Sequence, residues 1–246
     1  MQPPNPIYPF IFRTPVSACT HLLWCVLGMY VTAILWRLAR GDRVRQLSLG
    51  CFGLSMTLLY GASGLYHAFP DVPPYLNYFR LIDHSAIYIL IAGTYTPVCV
   101  VLLRGRLRIW TLVMMWGLAV VGIACKWIYG LPAPNTSDHY WLTAGLYVAM
   151  GWLGLIPVAQ LVKAVGYRGM AWGLLGGLLY TGGALFDVIK WPIPWPGVLG
   201  HHEVLHLCDM AATAVHIYFL IRYVLPYHAE EPALPEPSYQ AELTAV

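Results

Sequence analysis

The chain has 246 residues, of which 59% are apolar and only 10% carry a charge, with a mean hydropathy of +0.61 and a formal charge of +3. So little charge excludes an ordinary water-soluble domain, and so small a positive excess excludes a nucleic-acid partner. Six cysteines stand singly, without a CxxC pair, which excludes a disulfide framework.

Charged residues cluster between long apolar runs instead of marking one face of each helix, a pattern of membrane spans. The first sixteen residues are proline-rich and contain one cation, Arg13. They lack the basic segment and small-residue cleavage site of a signal peptide, so the first span is expected to be an uncleaved anchor. Seven spans are predicted, at 17–38, 46–68, 80–103, 108–129, 140–162, 170–190 and 202–225. The expected organisation is an N-terminal extension (1–16), an all-α, seven-helix transmembrane domain (17–226) and a disordered tail (227–246) rich in Pro and Glu.

Let X be the membrane side of the N-terminus and Y the other. Of the fourteen Lys and Arg residues, Arg13, Arg80, Lys126 and Lys190 fall on X and the other ten on Y. The positive-inside rule therefore predicts that Y is cytoplasmic.

Ionisable groups inside a bilayer are costly and call for a partner or a role. Here they gather toward X. His21 opens the first span; Ser63 and His67 close the second; Asp83 and His84 open the third. Lys126 ends the fourth span, His139 precedes the fifth, Asp187 and Lys190 end the sixth, and His201, His202, Glu203 and His206 open the seventh. Ser63 with His67, and His202 with His206, are four apart, so each pair shares one helix face. Three imidazoles, from His67, His202 and His206, suit Zn²⁺ and leave a fourth position for water. Asp83 and Ser63 are the expected catalytic partners, which hold or deprotonate that water. His21, His84, His139, His201 and His216 are read as hydrogen-bonded interior residues, and Asp187 is expected to pair with Lys190.

Residues 202–206 also spell HExxH, the zinc-binding string of metalloproteases, in which Glu203 would act as general base. The later aspartate ligand of site-2-type intramembrane proteases has no counterpart.

Three segments, SGLYH at 63–67, LIDHSAIYILIAGTYTP at 81–97 and HEVLH at 202–206, resemble the hemolysin III branch of the progestin and adipoQ receptor family. The likeness runs from about His21 to Tyr223. It implies seven helices and a zinc ion held by three histidines beside a serine and an aspartate, at His67, His202, His206, Ser63 and Asp83. Relatives include receptors with ceramide-hydrolysing activity, and the wider superfamily includes alkaline ceramidases. A zinc-dependent hydrolase of a lipid amide or ester is therefore expected, with membrane lipids as partners and a lipid amide or fatty acid as ligand in the bundle. The alternatives are a sensor or regulator of membrane lipid state with structural zinc, and a site-2-type protease. Pore formation rests on the family name alone. The resemblance further implies a multi-pass protein of the bacterial inner membrane with the N-terminal side cytoplasmic, opposite to the charge count. The segment Pro15 to His21 lacks the family's usual Glu and Asn.

Overall fold

The computed structural model describes residues 12–70, 72, 75–130 and 140–228. His139 and the tail from 229 lie outside the described residues. Seven helices follow in order: α1 (Pro15–Leu38), α2 (Arg43–Ala68), α3 (Tyr75–Leu102), α4 (Gly105–Tyr129), α5 (Tyr140–Trp152), α6 (Val158–Ile189) and α7 (His201–Phe219). All but α5 are long and apolar enough to cross a bilayer. Leu54, Trp110, Val120 and Leu178 are each more than half exposed, as lipid-facing side chains are. The protein is an integral, multi-pass helical bundle.

The helix ends have local causes. Asp42 caps α2 by accepting from the Arg45 amide at 2.9 Å. The Arg45 guanidinium donates to the carbonyls of Leu225 and Tyr227, so a cation on face Y also ties down the chain end beyond α7. After Phe219 the helix widens over Leu220–Val224, where the Leu225 amide donates to the Leu220 carbonyl.

The predicted fifth span (140–162) is interrupted, and the predicted sixth (170–190) corresponds to the limb of α6 that follows Gly166. A 3₁₀ turn at Leu153–Leu155 follows α5, and Pro157, which has no N–H to donate, stands at the start of α6. A straight helix of 32 residues would be about 48 Å long, well beyond the roughly 30 Å hydrocarbon core. Gly166 resolves this with a left-handed φ of 68°, a conformation other residues adopt only with strain. Before it, the contacts Tyr147 to His84, Tyr95 to Gly151 and Gln160 to Arg104 advance together, so this limb runs parallel to α3 toward face Y. After it, Tyr180 meets Thr213 and Asp187 meets His202, so the second limb returns antiparallel to α7 toward face X.

The buried core lies where α1, α2, α3 and α7 meet, around Leu35, Phe52, Met56, Tyr60 and Leu90. At the contact of α6 and α7, a Cβ on Gly183 would stand 2.8 Å from the Cys208 Cβ. Small residues at such contacts let membrane helices approach closely. One turn further along α6, that approach brings Asp187 to the start of α7.

Candidate metal centre and its cavity

His67 ends α2 and His202 and His206 occupy the first turns of α7, and ligand atoms of all three lie within 4.8 Å of one another. This three-histidine group can hold a metal ion. His67 and His206 are buried, and the Nε2 atoms of His67 and His202 are 3.4 Å apart.

The other nitrogens of two of these rings are already engaged. His67 Nδ1 lies 2.7 Å from Thr14 Oγ1, and the Thr14 hydroxyl and amide both donate to the His67 carbonyl, at 3.4 and 3.1 Å. With the hydroxyl proton so directed, the Thr14 oxygen accepts from Nδ1–H. This bond explains why Thr14, in the N-cap position of α1, makes no side-chain cap. His202 Nδ1 lies 3.1 Å from Asp187 Oδ1, and His201 Nδ1 shares the same oxygen at 2.8 Å. Both arrangements place the proton on Nδ1 and leave a lone pair on Nε2, the tautomer a metal ligand needs. Among the described residues His206 Nδ1 is buried with no hydrogen-bond partner, and its ring stacks on His21 with centroids 3.9 Å apart.

Asp83 and Ser63 are both buried and lie beside each other. They line a cavity of about 590 Å³ that also reaches His202 and His206. From this polar end the cavity runs between α3, α5, α6 and α7 past Ile91, Val148 and Leu174 to Leu220. Its mostly apolar lining with a polar end suits an elongated, mostly apolar ligand with one polar end.

Two expectations are corrected, and Glu203 is placed. Asp187 pairs with His201 and His202 across the contact of α6 and α7, whereas Lys190 has left the helix with a left-handed φ of 57°. His21 is buried but makes no hydrogen bond through either ring nitrogen among the described residues; it packs face-on against His206 and edge-on against Tyr60. Glu203 is turned away from the histidines, where Oε2 accepts from the Gly200 amide at 2.9 Å and Oε1 from the Ser17 hydroxyl at 3.1 Å. That carboxylate closes the first turn of α7 and ties it to α1. Thr14 and Ser17 were not singled out by sequence reasoning, since each has an ordinary local explanation at a helix start. Lys126, with no role assigned from sequence, is buried with its ammonium 5.2 Å from the Tyr147 ring centroid.

Comparison with known proteins agrees with this architecture. Residues 11–217 match the family model described as haemolysin-III related. "Hemolysin-3" of Bacillus cereus is 32% identical over 220 residues, covering 88% of this chain and 94% of the relative. The "Hemolysin-3 homolog" of Bacillus subtilis (strain 168) is 32% identical over 209 residues, covering 84% and 92%. The human "Monocyte to macrophage differentiation factor" is 24% identical over 220 residues, covering 88% and 86%. A bundle of apolar helices, three histidines at one end and a family match over most of the length lead to one conclusion: this chain belongs to the haemolysin-III-related family.

Proposed function

We propose that this protein is a zinc-dependent hydrolase that cleaves a long-chain lipid amide or ester within the membrane. The observation that carries the reading is that His202 and His206, grouped with His67, line the polar end of a mostly apolar cavity together with Asp83 and Ser63. The donor chemistry fits zinc: tetrahedral bonds of 2.0–2.1 Å require nitrogens about 3.3 Å apart, close to the 3.4 Å between His67 and His202, and all three ligand atoms lie within 4.8 Å of one another. All three donors are neutral nitrogens, a set that in catalytic zinc sites leaves one position free.

When bound, zinc lowers the pKa of a coordinated water and polarises a carbonyl oxygen. The chain's residues would do the rest. His67, His202 and His206 hold the ion, with Thr14 and Asp187 fixing two of the rings. The Asp83 carboxylate accepts a proton from water as it attacks the carbonyl carbon and returns that proton to the departing amine or alcohol. Ser63, beside Asp83, would orient its carboxylate by donating a hydrogen bond. The apolar walls exclude bulk water and hold the acyl chain in line. The products are a fatty acid and an amine or alcohol, with one water consumed. The Bacillus relatives favour the cytoplasmic membrane as its location.

The test is purified protein, assayed for metal and for fatty-acid release from a panel of lipid amides and esters. Release that requires zinc and disappears in Asp83→Asn supports the reading. No release from any lipid with one zinc per chain overturns it.

One observation favours a second reading, a non-catalytic sensor of membrane lipid state. The residues around the metal group come from four helices' ends: Thr14 before α1, His67 on α2, Asp187 on α6, and His202 and His206 on α7. Metal bound there would couple those helices structurally. The protease reading is disfavoured, because Glu203 is committed to Gly200 and Ser17.

A further inference from the structure

Asp209 lies three residues beyond His206 and seven beyond His202, on the same face of α7, and it lines the cavity. It stands inside a membrane-spanning helix, where a carboxyl without a partner is costly. Its neighbours' hydroxyls are engaged with one another. Tyr60 OH lies 2.7 Å from Thr213 Oγ1 and donates to the backbone carbonyl of Asp209 at 3.0 Å, and Tyr180 OH lies 2.6 Å from the same Thr213 oxygen. Deeper in the cavity Thr94 donates to Leu90, and Thr181 donates to Gly177 while accepting from Trp152; His216, two turns further along α7, also lines the cavity, with a buried Nδ1 that has no hydrogen-bond partner among the described residues. The Asp209 carboxyl itself makes no hydrogen bond or ion pair among the described residues and opens into the cavity.

Resting on the hydrolase reading for the position of the carbonyl, we propose that Asp209 forms a second polar subsite. It selects lipid amides or esters whose acyl chain carries a hydrogen-bond donor, a hydroxyl or an amine, a few bonds from the carbonyl. Three residues of helix rise about 4.5 Å, roughly the span of three to four bonds, so the oxygen or nitrogen of a substituent on the third carbon, three bonds from the carbonyl carbon, faces Asp209 when the carbonyl is at the histidines. The rest of the chain continues among Val148, Leu174 and Leu220. A site with a buried acceptor discriminates against an occupant lacking the donor, because the acceptor is then left unpaired.

The test uses the full-length zinc-loaded protein in lipid nanodiscs and three probes: hexadecanamide, 3-hydroxyhexadecanamide and 3-aminohexadecanamide. Binding is read from quenching of tryptophan fluorescence, since Trp152 lines the cavity, and acid release is followed in parallel. The wild type is expected to bind the hydroxy or the amino probe at least about tenfold more tightly than the plain amide, and whichever leads identifies the donor. Asp209→Leu should erase the preference with zinc content unchanged. Should that variant fail to fold, Asp209→Asn should retain part of a hydroxyl preference and lose an amino preference. Equal binding of all three probes, binding of none, or a preference that survives in Asp209→Leu overturns the subsite. A preference without acid release from any probe removes the hydrolase reading and leaves the subsite; release without preference does the reverse.

Discussion

Asp187 Oδ1 reaches across from α6 to accept a hydrogen bond from His202 Nδ1 at 3.1 Å. A carboxylate behind a ligating imidazole sets its tautomer, holds its ring angle and raises its basicity, and removing such a partner typically lowers metal affinity 10–100-fold. Asp187→Ala is therefore expected to weaken zinc binding by about that factor, read by competition with a chromogenic chelator. His201→Gln, which removes the other ring on the same oxygen, should change affinity by less than about threefold. Equal losses in the two variants would mean that Asp187 stabilises the helix contact as a whole, not His202 in particular.

Thr14 holds His67 from the opposite side of the site. Thr14→Val keeps the shape and removes the acceptor, so zinc affinity should fall about tenfold, whereas Thr14→Ser should restore it. The loss of one buried hydrogen bond should also lower stability by about 1 kcal/mol, seen as a reduced melting temperature in detergent. If Ser fails to rescue affinity, the threonine acts by packing.

Some of this centre is legible in the sequence. His202 and His206 share a helix face by spacing alone, and His67 and Asp83 stand out as polar groups at the ends of apolar runs. The residues behind the ligands are not legible in this way. Thr14 is separated from His67 by 53 residues and Asp187 from His202 by 15. Each has a satisfying local role, helix cap or ion pair with Lys190, that only tertiary contact displaces. The gap between the fifth and sixth spans, from 162 to 170, brackets the chain reversal without naming the residue that makes it. Hydropathy does not distinguish Gly166, where the chain reverses, from Gly169 or Gly173, which lie within the helix.

Gly183 provides a packing test of the centre. A Cβ there would lie 2.8 Å from the Cys208 Cβ and 3.3 Å from the Leu205 carbonyl oxygen, atoms that cannot move without moving α7. Gly183→Val should cost about 1–3 kcal/mol of stability by overpacking. It should also weaken zinc binding, because Asp187 sits one turn along the displaced helix. Thermal unfolding and chelator competition would check both effects. Unchanged zinc affinity in a destabilised variant would separate the helix contact from the metal centre.

Glu203 distinguishes between two chemistries for the same three histidines. In a metalloprotease the HExxH glutamate is the general base, and removing a general base typically costs 10²–10⁴-fold in rate. Here the carboxylate accepts from the Gly200 amide and the Ser17 hydroxyl, bonds that a glutamine side-chain oxygen can make in part. Glu203→Gln is thus expected to keep full zinc content and to hydrolyse its lipid substrate within about threefold of wild type, with a melting temperature a few degrees lower. Asp83→Asn, by contrast, should keep zinc and lose activity by at least about 100-fold, as expected for the proton acceptor. The two variants assayed side by side give opposite patterns for the two mechanisms. A collapse of activity in Glu203→Gln with Asp83→Asn unaffected would move the proton acceptor from α3 to α7 and restore the protease reading.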